Sequence, residues 1–133
     1  MALGQSNDVG PYSLGVGAEN ISSEAYNTIA GYKNTSKKKW NNISGKSNFN
    51  DGNYNLVNGL SNTVNGDNNL VSGSNNVVTS DNSTILGSNI YAKNANNLVA
   101  AGKQLNIKDN TTNGIILGNN SKLNGNKSIA IGS

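Results

Sequence analysis

Glycine recurs every 14 residues along most of this chain, and this period restricts the possible folds more than any other feature. The members of the series are Gly4, Gly17, Gly31, Gly45, Gly59, Gly73, Gly87, Gly118 and Gly132. A fixed period is typical of repeat proteins, in which each repeat stacks on the next. Because glycine accepts a positive φ without steric cost, we expect the series to mark the corners of successive turns.

Asparagine recurs every seven residues from Asn20 to Asn76, which divides each 14-residue turn into two similar halves. A seven-residue period is also typical of coiled coils. However, Gly, Asn and Thr are poor helix formers, and no pair of large apolar positions persists along the chain. The sequence therefore predicts an all-β, parallel β-solenoid of nine to ten turns, with one short strand and one tight turn in each half. Neighbouring turns would stack at about 4.8 Å, and asparagines in equivalent places could hydrogen-bond from turn to turn.

The position two residues before each glycine is almost always apolar, and we predict that this column forms the interior of the solenoid. Its members are Ile29, Ile43, Val57, Val71, Ile85, Val99, Ile116 and Ala130. Val99 enters the column if Ala101 stands in the glycine position and Gly102 is displaced by one residue. The remaining irregularity predicts an insertion of about three residues within 102–113.

The position three residues before each glycine is also apolar in most turns, and it points to the opposite face of the strand. Its apolar members are Leu14, Leu56, Leu70, Leu98, Ile115 and Ile129. A narrow solenoid cannot bury apolar columns on both faces of its strands. The excess apolar surface therefore indicates an oligomer.

The composition argues against several classes of function. The net charge of +3 comes from ten Lys without Arg, which is too weak for a nucleic-acid-binding domain. The chain has no Cys and no His, so it contains neither disulfides nor thiolate metal sites. No paired carboxylates or activated nucleophile can be assembled. We therefore expect no enzyme, no cofactor and no metal ion.

The C-terminal segment 118–132 resembles the head repeat of trimeric autotransporter adhesins. It reads Gly-Asn-Asn-Ser-Lys-Leu-Asn-Gly-Asn-Lys-Ser-Ile-Ala-Ile-Gly, whereas the repeat of that family reads roughly Asn-Ser-Val-Ala-Ile-Gly, followed by a variable half-turn with a second glycine. Segments 13–17 and 1–4 are similar. Between residues 27 and 73 the alanine of the motif is replaced by Ile or Val, so there the resemblance rests on the period.

The resemblance implies a left-handed parallel β-roll that assembles as a homotrimer. Residues 1–133 would be a single head domain of a longer surface protein whose stalk and membrane anchor are absent here, displayed on a bacterial outer membrane. Such heads attach bacteria to host cells through a host protein. Two partner classes stay open, an immunoglobulin-fold receptor of the carcinoembryonic-antigen-related type and an extracellular matrix protein. The alternative is a structural or ice-binding solenoid without a protein receptor.

The most unusual segment of the repeat lies in the variable half of the third turn and contains three consecutive lysines and the only Trp. Trp and Tyr are favoured anchors at interfaces, and Lys can steer an acidic partner. The other interpretation is that these lysines solvate a loop and the aromatic rings pack on their own coil. The candidate partner-binding residues are Tyr32, Lys33, Lys37, Lys38, Lys39, Trp40, Phe49, Tyr54 and Tyr91. Phe49, Tyr54 and Tyr91 could extend Trp40 into an aromatic stripe.

Overall fold

The computed structural model describes residues 1–132, which form a parallel β-solenoid. Each turn of about 14 residues contributes one long and one short strand, and these assemble into two parallel sheets of ten and nine strands. Residues 1–132 contain no helix. The predicted all-β solenoid with 14-residue turns is therefore confirmed. At about 4.8 Å per turn, the ten-stranded sheet extends roughly 43 Å along the solenoid axis.

The odd-numbered strands form the ten-stranded sheet, and the even-numbered strands form the nine-stranded sheet. The former are β1 Ala2–Gln5, β3 Leu14–Ala18, β5 Thr28–Tyr32, β7 Asn42–Lys46, β9 Leu56–Leu60, β11 Leu70–Ser74, β13 Thr84–Ser88, β15 Val99–Lys103, β17 Ile115–Asn119 and β19 Ile129–Gly132. The latter are β2 Asp8–Val9, β4 Ile21–Ser22, β6 Thr35–Ser36, β8 Phe49–Asn50, β10 Thr63–Val64, β12 Val77–Thr79, β14 Tyr91–Lys93, β16 Asn106–Ile107 and β18 Lys122–Leu123.

The repeated glycine lies inside each long strand and not at a corner, which corrects the expectation from the sequence. In β5, for example, Gly31 is the fourth of five residues and pairs with Gly17 and Gly45 of the neighbouring turns. It has a φ of 120°, a left-handed value that favours glycine. A Cβ on Gly31 would also overlap the carbonyl oxygen of Gly45. Glycine is therefore required both by the backbone angle and by the close approach of the next turn.

The corners are formed by other residues with positive φ, one at each end of the long strand. The corner after the long strand holds Ser6, Glu19, Lys33, Ser47, Ser61, Asn75, Asn89, Gln104 and Asn120. The corner before the long strand holds Tyr12, Tyr26, Trp40, Tyr54, Asn68, Asn82, Asn97, Asn113 and Lys127. From Glu19 to Asn89 these two sets alternate every seven residues, which is the physical basis of the half-period.

The interior column is fully buried at Ile29, Ile43, Val57, Val71, Ile85 and Ile116, and Ala130 is partly buried against it. Val99 is the exception, and its assignment to the column was wrong. Gly102 pairs with Gly87, so Ala100 lies beside Ile85 in the interior and Val99 points outward with 43% of its surface exposed. Leu98, expected on the outer face, is buried in the interior.

The extra residues lie in two connections, each leading from a short strand to the next long strand. The step between interior positions is normally seven residues, but it is eight from Ala92 to Ala100 and nine from Ile107 to Ile116. The predicted insertion within 102–113 is therefore only partly right, because one of the three residues precedes it. Extra length in these connections leaves the strand register intact.

Two columns of buried asparagines run along the interior beside the corners. The first contains Asn20, Asn34, Asn48, Asn62 and Asn76, and the second contains Asn27, Asn41, Asn55 and Asn69. The side-chain oxygen of each accepts the backbone N–H of the next member, for example that of Asn48 from Asn62 at 3.0 Å. No buried side-chain nitrogen or oxygen in residues 1–132 lacks a hydrogen-bond partner. These bonds allow a narrow solenoid to bury polar side chains.

Candidate functional site

Four aromatic side chains occupy successive corners immediately before the long strands, and together they form a continuous stack. The aromatic ladder consists of Tyr12, Tyr26, Trp40 and Tyr54. The ring centroids of successive members are 5.2, 4.2 and 6.4 Å apart, and the interplanar angles are 9°, 4° and 2°. Since each ring stands on a different turn, the ladder runs along the solenoid axis over four coils.

The aromatic ladder occupies a backbone position that aromatic residues rarely adopt. The φ angles of its members lie between 53° and 62°, within the left-handed region. That conformation costs an L-residue about 1–2 kcal/mol, and Asn tolerates it better. Asn holds the same corner at Asn68, Asn82, Asn97 and Asn113. Each stacked pair contributes only about 0.5–1.5 kcal/mol, which does not exceed the backbone strain. Local backbone preference therefore does not explain why aromatic residues occupy this corner.

The aromatic ladder faces solvent. The exposed fractions of its four members are 81% for Tyr12, 44% for Tyr26, 49% for Trp40 and 59% for Tyr54. Stacking brings the rings together, yet a large fraction of each side chain remains exposed to solvent. An exposed aromatic stripe of this kind is typical of an interaction surface, since Trp and Tyr are favoured anchors in protein interfaces.

Charged side chains lie beside the aromatic ladder on the preceding connection. Lys39, next to Trp40 in the chain, forms an ion pair of 3.9 Å with Glu24 of the neighbouring turn. Lys38 is exposed and forms no ion pair within residues 1–132. Of the two lysines beside the ladder, one therefore has its charge balanced by a carboxylate and the other does not. Both side chains are solvated, so they are better suited to orienting a partner than to holding it.

Tyr32 and Lys33 lie at the other end of the long strand and form a separate cluster. The Nζ atoms of Lys33 and Lys46 are 5.0 and 5.7 Å from the centroid of the Tyr32 ring. Lys33 also forms an ion pair of 3.4 Å with Glu19. The Tyr32 side chain, and after it the Glu19 carboxylate, raise the pKa of Lys33 above its usual value.

Phe49 and Tyr91 lie on a third surface, the outer face of the nine-stranded sheet. Both are in the first position of their short strands, three turns apart in one column. Lys37 contacts this face, since its Nζ is 4.9 Å from the Phe49 ring centroid and 4.0 Å from the Asp51 carboxylate. The predicted stripe is therefore right for Trp40 with Tyr54 and wrong for Phe49 and Tyr91.

Tyr12 and Tyr26 belong to the site but were not among the predicted residues. Their signal is present in the sequence, because residues 12, 26, 40 and 54 follow one another at the 14-residue period. The prediction considered aromatic residues together because they lie in variable half-turns. In the structure, aromatic residues stack only where they occupy equivalent positions in successive repeats.

The described part of the chain has a surface suited to binding and shows no enclosed site. Residues 1–132 contain no cluster of acidic, His or Cys side chains able to hold a metal ion and no pocket. Within the same range, no helix is long and apolar enough to cross a membrane. Comparisons of the sequence with protein-family models and with curated proteins find no match.

Proposed function

We propose that the chain is the head of a bacterial surface adhesin and attaches to a host protein through the aromatic ladder. The observation that carries this proposal is a solvent-exposed stack of Tyr12, Tyr26, Trp40 and Tyr54 in a strained backbone conformation. Every corner of the solenoid has a positive φ, so the backbone angle alone does not mark a site. Exposed aromatic rings at a corner that Asn fills in later turns favour a role in function over a role in packing. The resemblance of segment 118–132 to trimeric autotransporter heads supports the adhesin class.

A compact host domain fits the aromatic ladder better than a long fibrous partner. The ladder occupies four of the turns and gives way to asparagines at the next four equivalent corners, so the anchor residues are concentrated in one half of the solenoid. Binding energy in protein interfaces is likewise concentrated in a few central aromatic residues. We therefore favour an immunoglobulin-fold cell-surface receptor over an extracellular matrix fibre.

The same proposal includes assembly into a homotrimer of left-handed β-rolls. The outer face of the ten-stranded sheet is apolar at both ends, where Leu3, Val16, Leu86 and Ile131 are exposed. Between these ends the same column holds the small or polar residues Ala30, Ser44, Asn58 and Ser72. The two exposed apolar ends are stabilised when copies of the chain cover them.

Replacing Tyr26 and Trp40 together with alanine should weaken receptor binding at least about 30-fold, because one central aromatic anchor contributes about 2 kcal/mol or more and the losses of two rings in contact do not simply add. The measurement is surface plasmon resonance against a panel of immunoglobulin-fold receptors and matrix proteins. The matched control is the double variant Phe49→Ala and Tyr91→Ala, which removes two aromatic rings from the other face and should leave affinity unchanged. Equal losses in the two variants would refute a role for the ladder.

Light scattering should report a trimer at micromolar concentration, and Leu86→Lys should shift it toward monomer. A lysine at this position would place three charges in the apolar C-terminal part of the interface, where burial without partners is costly. Leu60→Lys is the control, because Leu60 is similarly exposed but lies in the column of Lys46 at the end of the strand. A wild-type chain that stays monomeric would contradict the trimer.

An ice-binding solenoid is the alternative, and it requires regular ranks of threonine. The outer faces interrupt such ranks, since Thr28 and Thr84 are separated by Asn42, Leu56 and Leu70 in their column. A thermal-hysteresis assay distinguishes the two functions, because only an ice-binding surface would depress the freezing point below the melting point.

A further inference from the structure

Charge is distributed unequally along the solenoid axis. Residues 88–132 contain five lysines and one acidic residue, Asp109, whereas residues 1–87 contain five lysines and six acidic residues. The two parts therefore carry net charges of +4 and −1, which together give the +3 of the whole chain. Three of the N-terminal lysines form ion pairs. The lysines of 88–132 form none with the described carboxylates, so their charges are uncompensated.

Three of these C-terminal lysines lie on one face. In the nine-stranded sheet Tyr91, Asn106 and Lys122 are register partners, and the residues that follow them are buried. Lys93 and Lys108 each directly follow one of these buried residues, so they point outward. They lie beside that column, on neighbouring turns. We call Lys93, Lys108 and Lys122 the lysine face. All three are exposed, and adjacent turns are about 4.8 Å apart.

The lysine face brings like charges together, and none of its three ammonium groups forms an ion pair with a described carboxylate, although Asp109 follows Lys108 in the chain. Like charges on neighbouring strands destabilise a sheet. Lys93 and Lys108 occupy successive turns without a carboxylate partner. The outward-facing neighbours in the same columns, Asn106 and Asn124, are amides that can donate and accept hydrogen bonds. A flat surface of point charges alternating with amides is complementary to a chain that carries both anionic groups and hydroxyls.

We propose that the lysine face binds a linear acidic polysaccharide carrying sulfate or carboxylate groups. The ammonium groups pair with the anionic groups along the polysaccharide, and the amides of Asn106 and Asn124 hydrogen-bond its hydroxyls. Release of counterions from the polyanion drives the association, so binding weakens steeply as salt rises. This site is separate from the aromatic ladder, and it does not depend on the adhesin proposal.

Two other polyanions fit the lysine face less well. Single-stranded nucleic acid is held by a basic groove with aromatic platforms for its bases, but this face is flat and offers Tyr91 alone. The chain also lacks Arg, the residue that pairs with phosphate through two parallel bonds. Binding to anionic membranes usually requires clusters of four to eight basic residues, more than the three present here.

The test is calorimetric titration of the full chain with a heparin-type sulfated polysaccharide at several salt concentrations. Replacing Lys93, Lys108 and Lys122 with Gln should lower the affinity at least about tenfold and make the dependence of log K on log salt shallower by about two, since three contacts are removed. Replacing the same three residues with Arg preserves the charges and should preserve binding. Far-ultraviolet circular dichroism of the Gln variant shows that its loss does not arise from unfolding.

The matched control replaces Lys33, Lys38 and Lys46 with Gln, which removes the same net charge from the N-terminal turns. It should retain most of the affinity. An equal loss in the two Gln variants would overturn the proposal, because binding would then follow net charge alone. Tighter binding to a single-stranded oligonucleotide or to phosphatidylserine vesicles at the same salt concentration would also overturn it.

Discussion

Replacing Gly59 with alanine should destabilise the chain by about 4 kcal/mol or more, a large part of the roughly 5–15 kcal/mol that stabilises a single domain. Gly59 has a φ of 118°, and a methyl group there would overlap the carbonyl oxygen of Gly73 and lie 2.9 Å from its carbonyl carbon. The obstacle is backbone held by the sheet, so it cannot move aside as a flexible side chain can. Urea unfolding followed by far-ultraviolet circular dichroism measures the loss.

Gly132→Ala separates the two causes of that loss. Gly132 has a comparable φ of 131°, but a Cβ there would meet no atom within 4 Å. This variant should retain the cost of backbone strain alone, about 1–2 kcal/mol. If both substitutions were equally mild, the close approach of successive turns at the glycine column would be wrong.

Replacing Asn48 with leucine should cost about 3–5 kcal/mol, although leucine is apolar and similar in size. The Asn48 side chain donates to the Asn34 Oδ1 atom and to the carbonyl oxygens of Ser44 and Gly59, at 3.0, 3.1 and 2.8 Å. It also accepts two hydrogen bonds from Asn62. Leucine would leave these buried groups without partners, and each such group costs about 1–3 kcal/mol. Chemical denaturation gives the free energy of unfolding.

Asn76→Leu is the matched control, because Asn76 is the last member of the same column. Its next neighbour is Ile90, an aliphatic residue, and its side chain takes part in three hydrogen bonds where that of Asn48 takes part in five. It also lies next to the aliphatic interior of the C-terminal turns. Asn76→Leu should therefore cost clearly less than Asn48→Leu. The reverse order would show that the asparagine column does not act as a continuous network.

The period, the strand type and the interior column could be predicted because each follows from a local rule repeated in every turn. Ile29 and Ile43 are interior for the same reason, so one assignment extends along the chain wherever the spacing holds. The prediction was wrong at Val99, where the spacing changes. One added residue changes which side chain faces inward, and the sequence around Val99, Ala100 and Ala101 is apolar in either register.

The role of the glycines was harder to predict than their position. Glycine is commonest where the backbone turns, so corners were the natural expectation. The structure uses it at a position of close approach within the long strand, two residues before the corner, as at Gly31 and Lys33. Contact between successive turns is a property of the stacked solenoid and cannot be derived from one repeat alone.

The candidate site was predicted only in part, because the sequence shows which residues are unusual but not which of them meet. Trp40 and Tyr54 are equivalent in the repeat and therefore stack. Tyr32 is separated from them by the length of the long strand, and Phe49 lies on the other sheet. Tyr26 was not among the predicted residues, although it precedes Trp40 by one 14-residue period and stacks on it.

The in-register stacking of 14-residue turns is the central claim, and distances between pairs of spin labels test it most directly. The chain has no cysteine, so labels can be placed in pairs at Ile21 and Thr63, Ile21 and Tyr91, and Ile21 and Asn106, which share one outward column. Dilution with unlabelled chain restricts the signal to distances within one molecule. The predicted separations are about 14, 24 and 29 Å, rising by about 4.8 Å for each turn. Distances that do not increase in proportion to the number of turns would contradict the solenoid.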